Sequence, residues 1–503
     1  MRTIVMTCML ISLAAVRAAD ADGPRAAGET FSLREVLLTA VRQNPELAGF
    51  SMDVTIARAG IVEATGSFDT TLDARVTAGT SRKDPTPGAI YEQLEKDGVA
   101  VSVGGTSRLR AGGSVSLRLE AGTNRTMNRL SQAGRDLDEH SRLYQPTLRL
   151  SAVQPLLKGM GWAARAPLER ARVATDVAML AREVAAATVL RDVVIAYWEL
   201  VFAHRELEIR RSSLQLAREQ LRIVKLGIEL GKHPPDAFAE VEVEVGLREE
   251  DVLIAENGVA ERSLDLRRLA GLEVGPGRIL VDPSDQPADV HPERDLEEAV
   301  ELALAQSPAL QEVRGRRRSA ALELRAREDA TRPQLDLQLD VAAAGSDREP
   351  TDAVGRMAGF GGLDAKVGLL LTVPLAGDGA RGARDVARGQ VLKARMTEAD
   401  VSAQVTLAVV RAVNEVRLAR KRALVLATSA ELGRVNLSHE NQRYELGAST
   451  SFEVLKRQRE LAEIQLRQAR ASIDHLVALA RLEALTGELI GSWGIATAGE
   501  SRR

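Results

Sequence analysis

The chain has 503 residues and a formal net charge of −3, with acids and bases interspersed, so it offers no basic surface for a nucleic-acid partner. Aromatic residues are only 3% while 45% are hydrophobic, a balance that argues against a wide globular core and for long helices with narrow seams of small side chains. The length suits two to four ordinary domains or one elongated architecture.

In chain order, the N-terminus MRTIVMTCMLISLAAVRAADADG has a single Arg ahead of an apolar stretch that is followed by small residues, the plan of a signal peptide over residues 1–21. The single cysteine, Cys8, lies inside it, so the exported chain is expected to have no disulfide. No later segment is apolar for long enough to span a membrane as a helix, although an exported chain can still cross one as strands.

Residues 31–281 read as a first repeat and 295–490 as a second, joined by the Pro- and Asp-rich linker 282–294 and followed by a flexible tail, 491–503. LREVLLTAVRQNPEL (33–47) matches LEEAVELALAQSPAL (296–310) at Leu33/Leu296, Glu35/Glu298, Ala40/Ala303, Pro45/Pro308 and Leu47/Leu310. Such ordered self-similarity indicates duplication. Each half opens with a short helix interrupted at the proline, followed by a second helix.

Alternating segments come next: strands are expected at about 68–80 and 144–154 in the first half and about 333–344 and 363–374 in the second. In TLDARVTA, Leu72, Ala74, Val76 and Ala78 oppose Asp73, Arg75 and Thr77; in LDLQLDV, Leu335, Leu337, Leu339 and Val341 oppose Asp336, Gln338 and Asp340. A period of two makes one apolar and one polar face. An insertion over 81–143 contains SVSLRLEAG, which reads as a further strand.

The strands exit through QPLLKGMG and VPLAGDG, where Pro155, Gly159 and Gly161 correspond to Pro374, Gly377 and Gly379. Gly377, Gly379 and Gly382 fit G-x-G-x-x-G, but a dinucleotide loop needs a parallel strand soon after, with an acid at its end. Here a helix of unusual length follows, and Glu398 falls within it, so the glycines read as turn residues. Long helical hairpins are expected at 163–272 and 380–487, each turning at a glycine, IELGKHPPDAF and YELGASTSFEVL, where Gly231 and Gly447 suit left-handed C-caps. The six histidines show no ligand spacing and no nucleophile elbow occurs. RGRRR (314–318) reads as a solvated helix face. No cofactor, metal or catalytic residue is expected.

Four amphipathic strands cannot close a membrane barrel alone, but several copies side by side can. The duplicated openings, the exit motifs and the phrase YELGASTSFEVL together resemble the TolC-like outer-membrane efflux proteins, over about residues 31–489. The resemblance implies a mainly α fold with a few strands: a homotrimer whose twelve-stranded β-barrel in outer-membrane lipid continues as an α-helical barrel in the periplasm. It implies an exit duct working with a periplasmic adaptor and an inner-membrane transporter. By position, Leu230, Gly231, Lys232, Leu446, Gly447 and Ala448 become adaptor-docking tips, while Asp236 and Glu453 become candidate pore-gate acids, although the family's next acidic position is Lys456 here. The alternative is a periplasmic coiled-coil rod without a pore. Cargo is not legible.

Overall fold

The computed structural model describes residues 29–86, 89–132, 135–231, 237–275, 278–287 and 295–492. In chain order these form β1 (Glu29–Phe31), α1 (Leu33–Gln43), α2 (Pro45–Gly66), β2 (Thr71–Arg82), β3 (Tyr91–Arg108), β4 (Ser114–Gln132), β5 (Arg135–Pro155), α3 (Trp162–Glu229), α4 (Ala237–Ala270) and β6 (Val281–Pro283). The second half gives α5 (Leu296–Gln306), α6 (Pro308–Ala330), β7 (Gln334–Ala344), α7 (Pro350–Ala358), β8 (Gly362–Thr372), α8 (Asp378–Glu445), α9 (Ser451–Thr486) and α10 (Leu489–Ser492). The expected signal segment 1–21, part of the linker (288–294) and nearly all of the tail lie outside the described residues. No described helix is long and apolar enough to cross a membrane.

The two openings fold alike because their caps are alike. Ser32 and Glu35 form a capping box at α1: the Ser32 backbone N–H donates to the Glu35 carboxylate at 2.8 Å. Those hydrogen bonds hold the Glu35 carboxyl below the usual range. Asp295 caps α5 by accepting from the N–H groups of Glu297 and Glu298, and Asn44 caps α2 by accepting from those of Glu46 and Leu47. Pro45 and Pro308 occupy the first turns of α2 and α6, where the missing N–H costs nothing.

α3 and α8 are each 68 residues long, about 100 Å at 1.5 Å per residue. The chain divides into two compact units, and each draws on both repeats. One unit contains β1, α1, residues 192–229 of α3, α4, β6, residues 418–445 of α8 and most of α9. Leu214, Ala217 and Val224 of α3 pack there against Val241 and Val245 of α4 and Leu455 of α9. The beginning of the expected linker is ordered in this unit. β6 pairs in parallel with β1, and the buried Tyr197 hydroxyl donates to the Asp285 carboxylate at 2.8 Å, which also accepts from the Leu33 N–H. Burial pushes the Tyr197 phenol well above its ordinary pKa.

The other unit contains the remaining helices and a single sheet of order β2-β3-β4-β5-β7-β8, antiparallel throughout. Its helical core joins Ala299 and Ala303 of α5 to Val405, Val409, Val413 and Val416 of α8 and Leu482 of α9. The sheet corrects the expectation of four strands. The 81–143 insertion supplies all of β3 and β4, and it lengthens the strand expected at 144–154 back to Arg135. The arginine run of α6 is also more than a solvated face: Arg314 and Arg317 both pair with Glu398 of α8, at 3.5 and 2.9 Å.

Candidate functional site

Residues paired directly across an antiparallel ladder point to the same side, so register assigns every side chain to a face. The row from Leu72 runs through Gly105, Leu117, Leu150 and Val341 to Ala365. The next runs through Ala74, Val103, Leu119, Leu148, Ala343 and Leu363. Below them, Ala152, Leu339 and Val367 form one row and Leu337 and Leu369 another. The six strands therefore share one continuous apolar face. Most of it is uncovered, with Leu72 82% exposed, Val367 73% and Val103 54%, while Ala343 is buried.

This band has defined limits. On β8 it runs from Leu363 to Leu371, nine residues that rise roughly 22 Å at a tilt of about 40°, close to the apolar height of membrane barrels. Above it the row Thr80, Asp97, Arg125 and Arg142 is polar, and Tyr144 lies in the row just beneath. Phe360 stands exposed at the outer end of β8, while Phe68 precedes β2 at the opposite end.

The other face carries Asp73, Arg75, Arg118, Glu120, Arg149, Asp340, Asp364 and Lys366, with the two signs balanced. Across β3 this face has only small side chains, Gly98, Ala100, Ser102 and Gly104. They leave room for neighbours to reach over the strand: Arg118 donates to Asp73 at 2.9 Å above Gly104, where a Cβ would lie 3.1 Å from both side chains. Ser151 donates to Asp340 at 2.6 Å on the same side. Neither end strand, β2 nor β8, has an outer partner among the described residues. An open sheet with a bare apolar face and two free edges is not a finished structure in water.

The strand exits are turn devices. Pro155 ends β5, Gly159 and Gly161 have φ of +83° and +62°, and α3 starts at Trp162 beneath the Arg325 guanidinium, 4.1 Å from the ring centre. In the second copy Pro374 lies beyond β8, and Gly377 (φ +65°) accepts the first helical bond of α8. Gly379 sits in the first helical turn, with open space where a Cβ would be. The antiparallel pairing of β8 with β7 and the pairing of Glu398 with arginines remove the dinucleotide-loop interpretation of this glycine cluster.

The exit of β5 also holds the turn between β3 and β4. The Gly161 N–H donates to the Ala111 carbonyl at 2.8 Å, and Gly112, with φ +102°, lies so close that a Cβ would approach the Gly159 carbonyl oxygen to 2.3 Å. Gly112→Ala is therefore expected to cost about 1–3 kcal/mol and to lower the melting temperature of the assembled protein, whereas Gly79→Ala, in open space, should leave it unchanged.

At the hairpin turns, Leu230 and Leu446 are exposed and each precedes a left-handed glycine, Gly231 (φ +69°) or Gly447 (φ +74°). The Ala448 N–H returns to the Arg443 carbonyl at 2.8 Å and the Gly447 N–H to Tyr444, a Schellman-type ending, and Thr450 caps α9. Glu453 is in the first turn of α9, 3.9 Å from the Lys456 ammonium. Lys232 and Asp236 lie outside the described residues. No spacing in the sequence signals the buried charge cluster further along these helices: Arg248 of α4 donates to Glu244 at 3.0 Å, to the Ser213 carbonyl of α3 at 2.9 Å and to the Leu455 carbonyl of α9 at 3.2 Å. Arg459 also pairs with Glu244.

Comparison with known proteins agrees with this geometry. Residues 299–488 match the family model described as outer membrane efflux protein. No curated protein matches the chain by sequence. Among solved structures, a membrane protein from Pseudomonas aeruginosa is similar at 18% identity, covering 93% of this chain and 92% of its own, with a TM-score of 0.65. The outer membrane protein VceC from Vibrio cholerae is similar at 14% identity, covering 90% and 96%, with a TM-score of 0.63. The CmeC outer membrane channel of Campylobacter jejuni is similar at 13% identity, covering 96% and 95%, with a TM-score of 0.62. The second half of the chain thus matches the outer membrane efflux protein family model, and nearly the whole chain shares its fold with solved outer-membrane proteins of this kind.

Proposed function

We propose that three copies of the chain assemble into an outer-membrane duct that passively conducts substrates delivered by a periplasmic adaptor and an inner-membrane transporter. The observation that carries this reading is the two-faced sheet. Its apolar side suits hydrocarbon, its charged side suits an aqueous lumen, and its free edges suit neighbouring copies. The balanced charges of the inward face favour a wall of low ionic selectivity.

The helices support assembly independently. Leu216 and Ile223 of α3 with Leu230 just beyond its end, Leu247 and Ile254 of α4, and Leu418, Val425 and Leu432 of α8 are all exposed and recur every seven residues. Such stripes are coiled-coil seams awaiting partner helices. Bare leucines at the glycine turns, Leu230 and Leu446, fit adaptor docking. Glu453 fits a pore constriction, its charge tempered by Lys456.

A periplasmic rod has no use for the apolar band, so fractionation separates the two readings. The protein is expected in the outer-membrane fraction, resistant to urea extraction. Recovery in the soluble periplasm would refute the duct. Changing Leu230 and Leu446 together to Asp should sharply reduce cross-linking to a co-expressed adaptor while the trimer still forms; unchanged cross-linking would remove these leucines from the docking site.

A further inference from the structure

We infer that the barrel of this protein has eighteen strands rather than the twelve implied by its family resemblance, because the hairpin β3–β4 is part of the membrane wall. The inference rests on the duct reading above and concerns the width of its outer-membrane section.

A hairpin inserted between two barrel strands has three possible fates: a plug in the lumen, a lid outside the membrane, or two more staves of the wall. Pairing decides among them. β3 is bonded to β2 from Thr71↔Thr106 to Arg82↔Glu95, the full length of β2, and β4 is bonded to β5 from Ser114↔Val153 outward. The hairpin therefore reaches the depth at which β2 begins and β5 ends, which a lid does not. A plug would need β2 and β5 to pair with each other, yet β3 and β4 stand between them in the sheet order.

Side-chain alternation leads to the same conclusion. Val99, Val101 and Val103 of β3 and Leu117 and Leu119 of β4 continue the apolar rows of β2 and β5 without a break, and all five are exposed. Their neighbours on the opposite side are small or charged. A hairpin lying in water on both sides has no reason to keep an apolar face in register with its flanking strands. Its inner turn is also fixed in place, since Gly161 bonds to Ala111 and Gly112 fits against Gly159.

Three copies of six strands make eighteen, an even number, and β2 and β8 run in opposite senses, so each edge meets its neighbour antiparallel. With strands about 4.8 Å apart and tilted about 40°, eighteen give a backbone diameter of roughly 36 Å against roughly 24 Å for twelve. The outer-membrane section is thus of porin width, suited to cargo bulkier than a twelve-stranded barrel admits.

Single spin labels on β3 and β4, compared with β8 as reference, test this in outer-membrane preparations. The labelled sites are Val101→Cys, Ser102→Cys, Val103→Cys and Leu119→Cys, with Lys366→Cys and Val367→Cys as reference sites, all in a Cys8→Ser background. Positions 101, 103 and 119 are expected to be reached by oxygen dissolved in lipid and 102 by a water-soluble nickel reagent, in phase with 367 and 366. An imaged cross-section of the trimer should show eighteen strands. If 101 and 103 take up the nickel reagent while 367 remains in lipid, the hairpin is not in the wall and the eighteen-stranded barrel is wrong, though the duct stands. Loss of alternation at 366 and 367 as well would overturn both. Twelve strands in cross-section would overturn the inference alone.

Discussion

Val367→Arg is expected to abolish assembly in the outer membrane, while Gly368→Lys, one residue along β8, should be tolerated. Val367 lies mid-height in the apolar band, in a row with Leu339 and Ala152, and is uncovered within the chain. An arginine at that depth of a barrel costs about 2–4 kcal/mol, on the order of 6–12 kcal/mol for three copies. That is comparable to the whole stability of a typical domain. Gly368 points to the opposite face, beside the already charged Lys366, and has open space where a Cβ would stand. Trimer recovered from outer membranes measures both. Equal loss, or equal survival, would mean that the two faces do not meet different solvents.

The second large effect is expected from Glu244→Ala. Arg248 is 4% exposed, and its guanidinium spans α4, α3 and α9 through Glu244, the Ser213 carbonyl and the Leu455 carbonyl. Burial pulls the Arg248 pKa down while Glu244 and Asp251 push it up. Removing the carboxylate leaves a buried cation without its counter-charge, which costs about 3–5 kcal/mol. The double change Glu244→Leu with Arg248→Met should recover much of that loss, because replacing a buried pair by apolar groups is often neutral. Thermal unfolding of the detergent-extracted protein reads this directly: a large drop for the single variant and a smaller one for the double. A single variant as stable as the parent would contradict the assigned role of Glu244.

Much of this architecture is legible in the sequence because its signals are local. TLDARVTA and LDLQLDV show their two faces by alternation alone, and IELG and YELG mark helix ends because only glycine adopts the left-handed conformation cheaply. The matching openings reveal the duplication because their caps and prolines sit at equal spacing. β3 was hidden for an equally physical reason. Its outer part, YEQLEKD, is charged on both sides, since it projects beyond the apolar band, and Gly98, Gly104 and Gly105 lower strand propensity where the alternation VAVSV is short. Those glycines are intelligible only once β2 and β4 are in place, with Asp73 and Arg118 meeting across Gly104. The Arg248 cluster joins residues more than two hundred positions apart, so no spacing rule could find it. α7, a nine-residue helix between β7 and β8, is too short to show a helical period and is held by the Asp347–Arg356 pair at 2.5 Å.

The most direct test of the central claim, that the assembled protein encloses an aqueous path, is the current through purified trimers in a planar lipid bilayer, for the parent and for Glu453→Ala. Discrete conductance steps are expected, more frequent or larger in Glu453→Ala if that carboxylate narrows the tips. Correctly assembled trimers that carry no current in either form would contradict the account.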